Sequence, residues 1–344
     1  MSEIEVSGLG LEREGFRLGP IDLKVAAGTA TVILGPSGAG KTTLLRALAG
    51  FLPLGAGRLS VDGEPVETLP PERRRFGFVP PSLGLLPHRR VDRNVSYALD
   101  LAGDAGAASE ARRWMERFGL LRLARKYPAQ LSSGERQRVA MARALTARPR
   151  FLLWDEPLSA LDVDSRDTLL RLLRDLIEEE GLPLLLVTHD PTTAFALASR
   201  VVVLEGGRIR SDTAPEELAG GLLDRFVARF LGYENLFSRE ELATAPEGSF
   251  ASQLLRASGP GGVVVPSEAF RWSRPDATTG AHAAEVRAVR WTAAGWVVAL
   301  RQGSLTLHAT PTREVPSVRA GERVRVEIDL DAVRPLMELG GAGT

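Results

Sequence analysis

The stretch that decides the fold of this chain is GPSGAGKTT, which spans Gly35 to Thr43. It fits the spacing G-x-x-x-x-G-K-[ST], which is typical of a loop that binds phosphate groups. An apolar run, Thr31 to Leu34, precedes the loop and predicts a buried strand, and a run of good helix formers, Leu44 to Ala49, follows it. Strand, glycine-rich turn and helix in this order are the context that the phosphate-loop pattern requires.

The residue types in this loop suit the phosphates of a nucleotide. Glycine tolerates positive φ, so several backbone N–H groups can point inward together, and the helix that begins there adds the positive end of its dipole. Lys41 would reach the outer phosphates, and the Thr42 hydroxyl would ligate Mg²⁺. A glycine-rich turn without a ligand is the alternative. We predict that the site includes the whole loop: Gly35, Pro36, Ser37, Gly38, Ala39, Gly40, Lys41, Thr42 and Thr43.

Length and composition bound the remaining possibilities. The 344 residues are enough for two domains, and 44% hydrophobic and 25% charged residues are ordinary for a folded protein. Lys+Arg and Asp+Glu both number 43, so no basic field favours nucleic acid as a partner. The absence of cysteine excludes disulfides, cysteine-ligated zinc and a thiol nucleophile. The sequence shows no signal peptide and no membrane-spanning run, so a soluble, cytoplasmic protein is the expectation.

Two adjacent carboxylates end a second apolar run. Phe151 to Trp154 predicts a buried strand, and Asp155 and Glu156 follow it directly. A strand of this kind, after a phosphate loop, delivers an acid to Mg²⁺. Because neighbouring residues on a strand face opposite sides, the two acids should have different roles. We predict that Asp155 holds the metal and that Glu156 is the general base for an attacking water. Two solvated acids at a strand end are the alternative.

Three further segments carry candidate site residues. Ser132 with Glu135 three residues later predicts a helix capping box, and such a helix N-terminus is equally an anion site. The apolar run Leu184 to Val187 predicts a strand that ends close to His189, which would then lie beside the site. Phe16 would either stack on an adenine ring or fill the core.

Taken together, these segments resemble the ATPase subunits of ABC transporters. The phosphate loop, LSSGERQRVAMARAL, LLWDEPLSALD and LLLVTHD stand in the order and spacing of that family, over roughly residues 3 to 235. The resemblance implies binding and hydrolysis of ATP with Mg²⁺. It also implies a dimer of two copies, with each ATP held between them.

The resemblance assigns roles to residues outside the phosphate loop. His189 corresponds to the residue that senses the γ-phosphate, and Asp162 lies in the loop that crosses the dimer interface. The signature segment, which contacts the γ-phosphate bound to the other copy, corresponds to Ser132, Ser133, Gly134 and Glu135.

Two residues depart from the family pattern. Ser133 replaces the first of two glycines that usually follow the signature serine, which is a mild change. Pro81 stands where the family has a glutamine after the strand Phe76 to Val79. Proline has no side-chain oxygen for Mg²⁺ or water, so the role of that glutamine does not transfer, and Ser82 is the candidate substitute.

The predicted fold class is α/β, a P-loop NTPase of the ABC ATPase type with an inserted helical subdomain, followed by a small all-β, OB-like barrel domain. We place the ATPase domain at residues 1–235, with the helical subdomain at about 80–150, where arginines form either a solvated face or a docking surface. Residues 236–262, rich in Ala, Gly, Ser and Pro, are expected to be a linker. Alternating strands after residue 263 resemble the C-terminal TOBE-like barrel of importer ATPases, which places that domain at 263–344.

The sequence therefore predicts the ATPase of an ABC uptake transporter. The resemblance implies docking on membrane permease subunits at the cytoplasmic face of the inner membrane, with an extracytoplasmic binding protein that selects the cargo. An inorganic ion, such as molybdate, tungstate, sulfate or iron, is the preferred cargo. The alternatives are a soluble ABC ATPase in repair or translation, and a regulatory nucleotide-binding subunit with low turnover, which Pro81 keeps open.

Overall fold

The computed structural model describes residues 3–13, 15–159, 161–221, 223–244, 249–273, 283–292, 295–310 and 318–337. The chain divides into two compact units, Met1–Pro215 and Glu216–Thr344. Among the described helices, none combines the length and the apolar character that crossing a bilayer requires.

The first unit is built on a six-stranded sheet with the order β10-β9-β3-β8-β7-β6. All neighbours in it are parallel except β10, which pairs antiparallel with β9. Every residue of β3, β7 and β8 is buried, as is typical of parallel strands covered on both faces. The six strands are β3 (Ala30–Leu34), β6 (Phe76–Val79), β7 (Phe151–Asp155), β8 (Leu184–Thr188), β9 (Arg200–Glu205) and β10 (Arg208–Thr213).

A four-stranded antiparallel sheet, ordered β2-β1-β4-β5, completes the strands of this unit. The sequence predicts short strands at Ile4 to Val6 and Ile21 to Val25, and the first two strands of this sheet are longer, because their pairing continues through bulges up to the hairpin. The pair Asp62-Gly63 predicts a hairpin turn, and this turn is present, with both residues at positive φ, 53° and 79°. The strands are β1 (Ile4–Arg13), β2 (Phe16–Val25), β4 (Ala56–Val61) and β5 (Glu64–Pro65).

Helices fill the connections of the first unit. The segment between β6 and β7, predicted to be a helical subdomain, contains α3 to α6. The sequence predicts a helix from Ser165 to Glu180, and the helix observed there begins two residues earlier, at Val163, because Asp162 is its N-cap. The helices are α1 (Lys41–Leu48), α2 (Pro71–Arg74), α3 (Val91–Val95), α4 (Tyr97–Leu101), α5 (Ala107–Arg117), α6 (Ser133–Thr146), α7 (Val163–Glu180) and α8 (Pro191–Leu197). The next helix, α9 (Pro215–Gly220), begins at the last residue of the first unit and otherwise belongs to the second.

The second unit contains two antiparallel sheets, ordered β11-β12-β18 and β13-β17-β14-β15-β16. The sequence predicts a turn at Ala293-Ala294-Gly295, of which Ala293 and Ala294 lie outside the described residues. The elements are α10 (Arg225–Phe230), β11 (Asn235–Phe237), α11 (Arg239–Ala243), α12 (Phe250–Ala257), β12 (Gly262–Val265), β13 (Phe270–Ser273), β14 (Ala283–Thr292), β15 (Gly295–Gln302), β16 (Leu305–Ala309), β17 (Arg323–Ile328) and β18 (Arg334–Leu336).

The expected linker at 236–262 differs from what the structure shows. This segment contains most of β11, both α11 and α12, and the first residue of β12, and β11 pairs with β12. Leu242, Phe250 and Leu254 are fully buried in the core of the second unit together with Val263. Burial of these apolar side chains favours ordered helices over a loose connection. The unit boundary lies at Pro215, upstream of the boundary expected at Asn235.

Candidate nucleotide-binding site

The phosphate loop connects β3 to α1 at the carboxyl end of the parallel sheet, where ligands of open α/β folds bind. Two of its glycines are required by geometry. Gly40 is the N-cap of α1 with φ of 102°, and a Cβ atom there would lie 2.9 Å from the ring of Phe16. A Cβ atom on Gly35 would lie 2.3 Å from the backbone oxygen of Leu204 in β9. The phosphate loop therefore packs closely against Phe16 in β2 and against the backbone of β9.

The Lys41 side chain folds back over the phosphate loop to which it belongs. Its Nζ atom donates to the backbone oxygens of Gly35 at 2.7 Å and Pro36 at 2.9 Å, and the residue is buried. Burial lowers the pKa of the Lys41 ammonium, while the nearby Glu156 and Asp155 carboxylates raise it. The loop thus holds a positive charge above its own backbone, which is suited to a phosphate chain.

Thr42 and Asp155 bring two oxygen ligands together from different elements. The Thr42 Oγ1 atom donates to Asp155 Oδ1 at 3.1 Å, and Asp155 is completely buried at the end of β7. Burial raises the pKa of the Asp155 carboxyl, and the Thr42 hydrogen bond opposes this effect. The other oxygen, Oδ2, is buried with no hydrogen-bond partner in the described part of the chain. A hydroxyl and an incompletely paired carboxylate are oxygen donors of the kind that Mg²⁺ prefers.

Glu156 follows the last residue of β7 at a positive φ of 52°, so the alternation along a strand does not extend to it, and its carboxylate has other partners than that of Asp155. Its Oε1 atom lies 2.8 Å from His189 Nδ1, and its Oε2 atom accepts a hydrogen bond from Thr188 Oγ1 at 3.2 Å. The Glu156 N–H donates to the backbone oxygen of Val187 at 2.9 Å. Because β7 and β8 are adjacent and parallel, their carboxyl ends bring this acid and His189 together.

A cavity of about 670 Å³ lies over the phosphate loop. Phe16 packs against the core of the first unit and also borders this cavity, so stacking on an adenine ring stays a prediction. Arg46 was not predicted, although its position four residues after Thr42 on one helix face could have indicated it. Arg13 was also missed; it pairs with Phe16 across the β1–β2 hairpin. The lining residues are Arg13, Phe16, Ser37, Gly38, Ala39, Gly40, Lys41, Thr42, Thr43, Arg46, Asp155 and Glu156.

The signature segment and Asp162 do not line this cavity in the described chain. Ser132 is the N-cap of α6: its hydroxyl accepts from the Glu135 N–H at 3.2 Å, and the Glu135 carboxylate accepts from the Ser132 N–H at 2.9 Å. The Asp162 carboxylate accepts from the N–H of Ser165 at 2.9 Å. A Cβ atom on Gly134 would lie 3.7 Å from the Ser165 hydroxyl, so the two helix N-termini are neighbours.

Pro81 lies in a turn after β6. The Leu83 N–H donates to the Pro80 oxygen at 2.9 Å, and Leu83 has a positive φ of 61°. The guanidinium of Arg143 in α6 donates to the backbone oxygens of Leu83 at 2.8 Å and Gly84 at 2.6 Å. The turn that contains Pro81 is therefore held in place by α6, the helix that begins at the signature segment.

Comparisons with known proteins agree with this geometry. The ABC transporter family matches residues 18–159. The Fe(3+) ions import ATP-binding protein FbpC of Streptomyces avermitilis is 38% identical over 340 residues, which cover 94% of each chain. The spermidine/putrescine import ATP-binding protein PotA of Nitrosomonas eutropha is 38% identical over 72% of this chain and 67% of its own. The sulfate/thiosulfate import ATP-binding protein CysA 2 of Chromobacterium violaceum is 42% identical over 63% and 60%.

Two solved structures are similar to part of the chain. The dimeric structure of MJ0796, a bacterial ABC transporter cassette, has a TM-score of 0.55 and 28% identity, and covers 62% of this chain and 98% of its own. A dimeric post-hydrolysis state of the same cassette, bound to ADP and Pi, has a TM-score of 0.56. The predicted fold class and ATPase activity are therefore confirmed. The chain belongs to the ATP-binding import subunits of the ABC transporter family.

Proposed function

We propose that this ATPase binds Mg²⁺·ATP in the cavity over the phosphate loop and that Glu156 activates the attacking water. The observation that carries the proposal is the convergence of the loop, the Asp155–Glu156 pair and His189 at the carboxyl ends of β3, β7 and β8. Lys41 would bind the outer phosphates, and Phe16 would border the base. The Thr42 and Asp155 oxygens would hold Mg²⁺, which supplies charge neutralisation at the phosphates.

Two contacts prepare Glu156 for proton transfer. The Thr188 hydroxyl and His189 hold the two oxygens of its carboxylate, so its orientation is set before a substrate arrives. In this arrangement Glu156 would accept the proton of the attacking water, and His189, which contacts Glu156, would contact the transferred phosphate. A general base in a fixed orientation contributes about 10²–10⁴-fold to the rate.

We further propose that the working unit is a dimer. Ser132, Glu135 and Asp162 lie on two neighbouring helix N-termini that do not line the chain's own cavity, and we assign them to the nucleotide of a second copy. MJ0796, a relative of known structure, is dimeric. Permease subunits at the cytoplasmic face of the inner membrane would be the other partners, and a binding protein would act through them.

An inorganic ion, with Fe³⁺ first, is the proposed cargo. The relative FbpC, a ferric ion import protein, matches along 94% of both chains, so the similarity includes the second unit. Uptake of radiolabelled iron, sulfate and spermidine by cells with and without this subunit would compare the three classes. Loss of spermidine uptake alone would contradict the inorganic assignment.

The variant Glu156→Gln tests the site. We expect Mg²⁺·ATP to bind because Lys41, Thr42 and Asp155 are intact, hydrolysis to fall about 10²–10⁴-fold, and an ATP-bound dimer to accumulate. Turnover and light-scattering mass with ATP are the measurements. The matched control is Glu178→Gln on the exposed side of α7, which should behave like the parent. A monomeric Glu156→Gln variant with parental turnover contradicts the assignment.

A further inference from the structure

A half-buried ion pair joins α7 to the residue that follows His189. Arg166 Nη1 lies 3.1 Å from Asp190 Oδ2, with the two side chains 31% and 24% exposed. Asp190 is the N-cap of α8 and also accepts from Thr193 Oγ1 at 2.7 Å and from the Thr192 N–H at 3.0 Å. Because Asp190 is adjacent to His189 in sequence, the position of its carboxylate constrains the backbone that carries the imidazole.

The other end of the connection is the first turn of α7. The Arg166 N–H donates to the backbone oxygen of Asp162 at 2.9 Å, so Arg166 lies one turn from the N-cap of its helix. That same turn adjoins the signature segment through Ser165 and Gly134. Arg166 thus links two features: the helix N-terminus expected to face a second copy, and the loop that presents His189 to Glu156.

This ion pair is not arranged for maximum stability. The Arg166 Nε atom is buried without a hydrogen-bond partner in the described chain. Such a guanidinium retains a desolvation cost that one contact offsets only in part. Asp190 keeps three other donors, from Thr192 and Thr193, when the arginine is removed. Replacement of Arg166 should therefore leave the fold intact and change mainly the placement of the loop.

We propose that Arg166 is a positioning residue for hydrolysis. It fixes the position of the Asp190 carboxylate, and thereby of His189, relative to α7. When a second copy docks and displaces the first turn of α7, the displacement therefore changes the position of His189 relative to Glu156. This inference rests on the proposed function, because it requires Glu156 and His189 to act in hydrolysis. Arg166 itself is assigned no contact with ATP. It predicts an effect on turnover that is separate from nucleotide affinity.

The variants Arg166→Gln and Arg166→Lys provide the test. For Arg166→Gln we expect kcat to fall about tenfold, an effect of the size measured for positions that modulate coupling. The Kd for ATP, measured by titration without turnover, should stay at the parental value. Arg166→Lys keeps a charge within reach of Asp190 and should restore most of kcat. A purely structural role would instead lower the thermal midpoint and weaken ATP binding together.

Arg174→Gln is the matched control. Arg174 lies two turns later on α7 and also reaches the next helix: its Nε atom donates to the backbone oxygen of Ala196, at 2.8 Å, near the end of α8. This variant removes an α7–α8 contact of similar type that is distant in sequence from His189, and its kcat should match the parent.

Three results would overturn the inference: parental kcat in Arg166→Gln, an equal loss in Arg174→Gln, or a loss that lies entirely in ATP affinity. If Arg166→Gln does not fold, Asp190→Asn, whose amide oxygen still caps α8, is expected to show the same fall in kcat. A parent chain that does not hydrolyse ATP would refute the proposed function itself. An active parent with an equally active Arg166→Gln variant refutes only the role of Arg166.

Discussion

At the residue scale, Arg74 is a buried charge that stabilises a helix of the site without contacting the cavity. It is 5% exposed, and its guanidinium donates to the backbone oxygens of Leu69, Glu67, Ala47 and Leu48. The last two belong to the final turn of α1, whose carbonyls have no partner within the helix. Arg74 therefore caps the helix that begins at the phosphate loop.

We predict that Arg74→Met destabilises the protein by about 2–5 kcal/mol, because several buried carbonyl oxygens lose a charged donor. Denaturant unfolding without nucleotide measures the effect. Arg73→Met is the control, since Arg73 is its exposed neighbour and should leave stability near the parental value. Equal stability of the two variants would contradict the capping role.

Sequence patterns predicted individual candidate site residues where the chemistry demands one residue type at one spacing. The phosphate loop, Asp155, Glu156 and His189 are of this kind, and the structure brings them together. Arg13 and Arg74 carry no such signal, because their positions depend on a hairpin and on a long-range contact. Tertiary packing, which no local pattern contains, decides what these arginines touch.

At the scale of elements, the buried strands were predictable because unbroken apolar runs are typical of a covered parallel sheet. The helices at 239–257 were not predicted, although Ser238 and Glu241 form a capping box that was visible in the sequence. The many small residues around them favoured a linker. Burial of Leu242, Phe250 and Leu254 outweighs that composition.

The turn at Pro81 supports a prediction about turnover. Proline fixes φ and lacks both a backbone donor and a side-chain oxygen, and Arg143 holds the end of the same turn. We expect nearly normal ATP binding but slow hydrolysis, or slow coupling to the permease. Pro81→Gln should raise the turnover number, measured in the isolated dimer and with the permease in liposomes.

Pro81→Ala separates the two causes. It restores backbone freedom without adding an oxygen, so a gain shared by both variants indicates stiffness, and a gain in Pro81→Gln alone indicates the missing oxygen. A parent that turns over at least as fast as Pro81→Gln in both settings shows that proline is a tolerated replacement, with Ser82 or water in the role.

At the scale of the whole molecule, the division at Pro215 predicts that the first unit binds nucleotide alone. All residues that line the cavity precede this point, and the second unit has its own core. A chain that ends after Pro215 should bind ATP with an affinity close to that of the full chain, as measured by titration with a fluorescent analogue.

Lys41→Ala in the same shortened chain is the control, and it should abolish binding. A shortened chain that has native circular dichroism but no affinity for ATP would refute the independence of the first unit.

The backbone conformation of Glu156 has a consequence for any effort to raise the thermal stability of this enzyme. Its φ of 52° places a carboxylate-bearing residue in the left-handed region, where an L-residue other than glycine costs about 1–2 kcal/mol. Directed evolution that selects for heat resistance alone would therefore favour glycine at this position. The product would be a more stable protein that does not hydrolyse ATP. A thermostability screen on this chain needs a parallel selection for phosphate release.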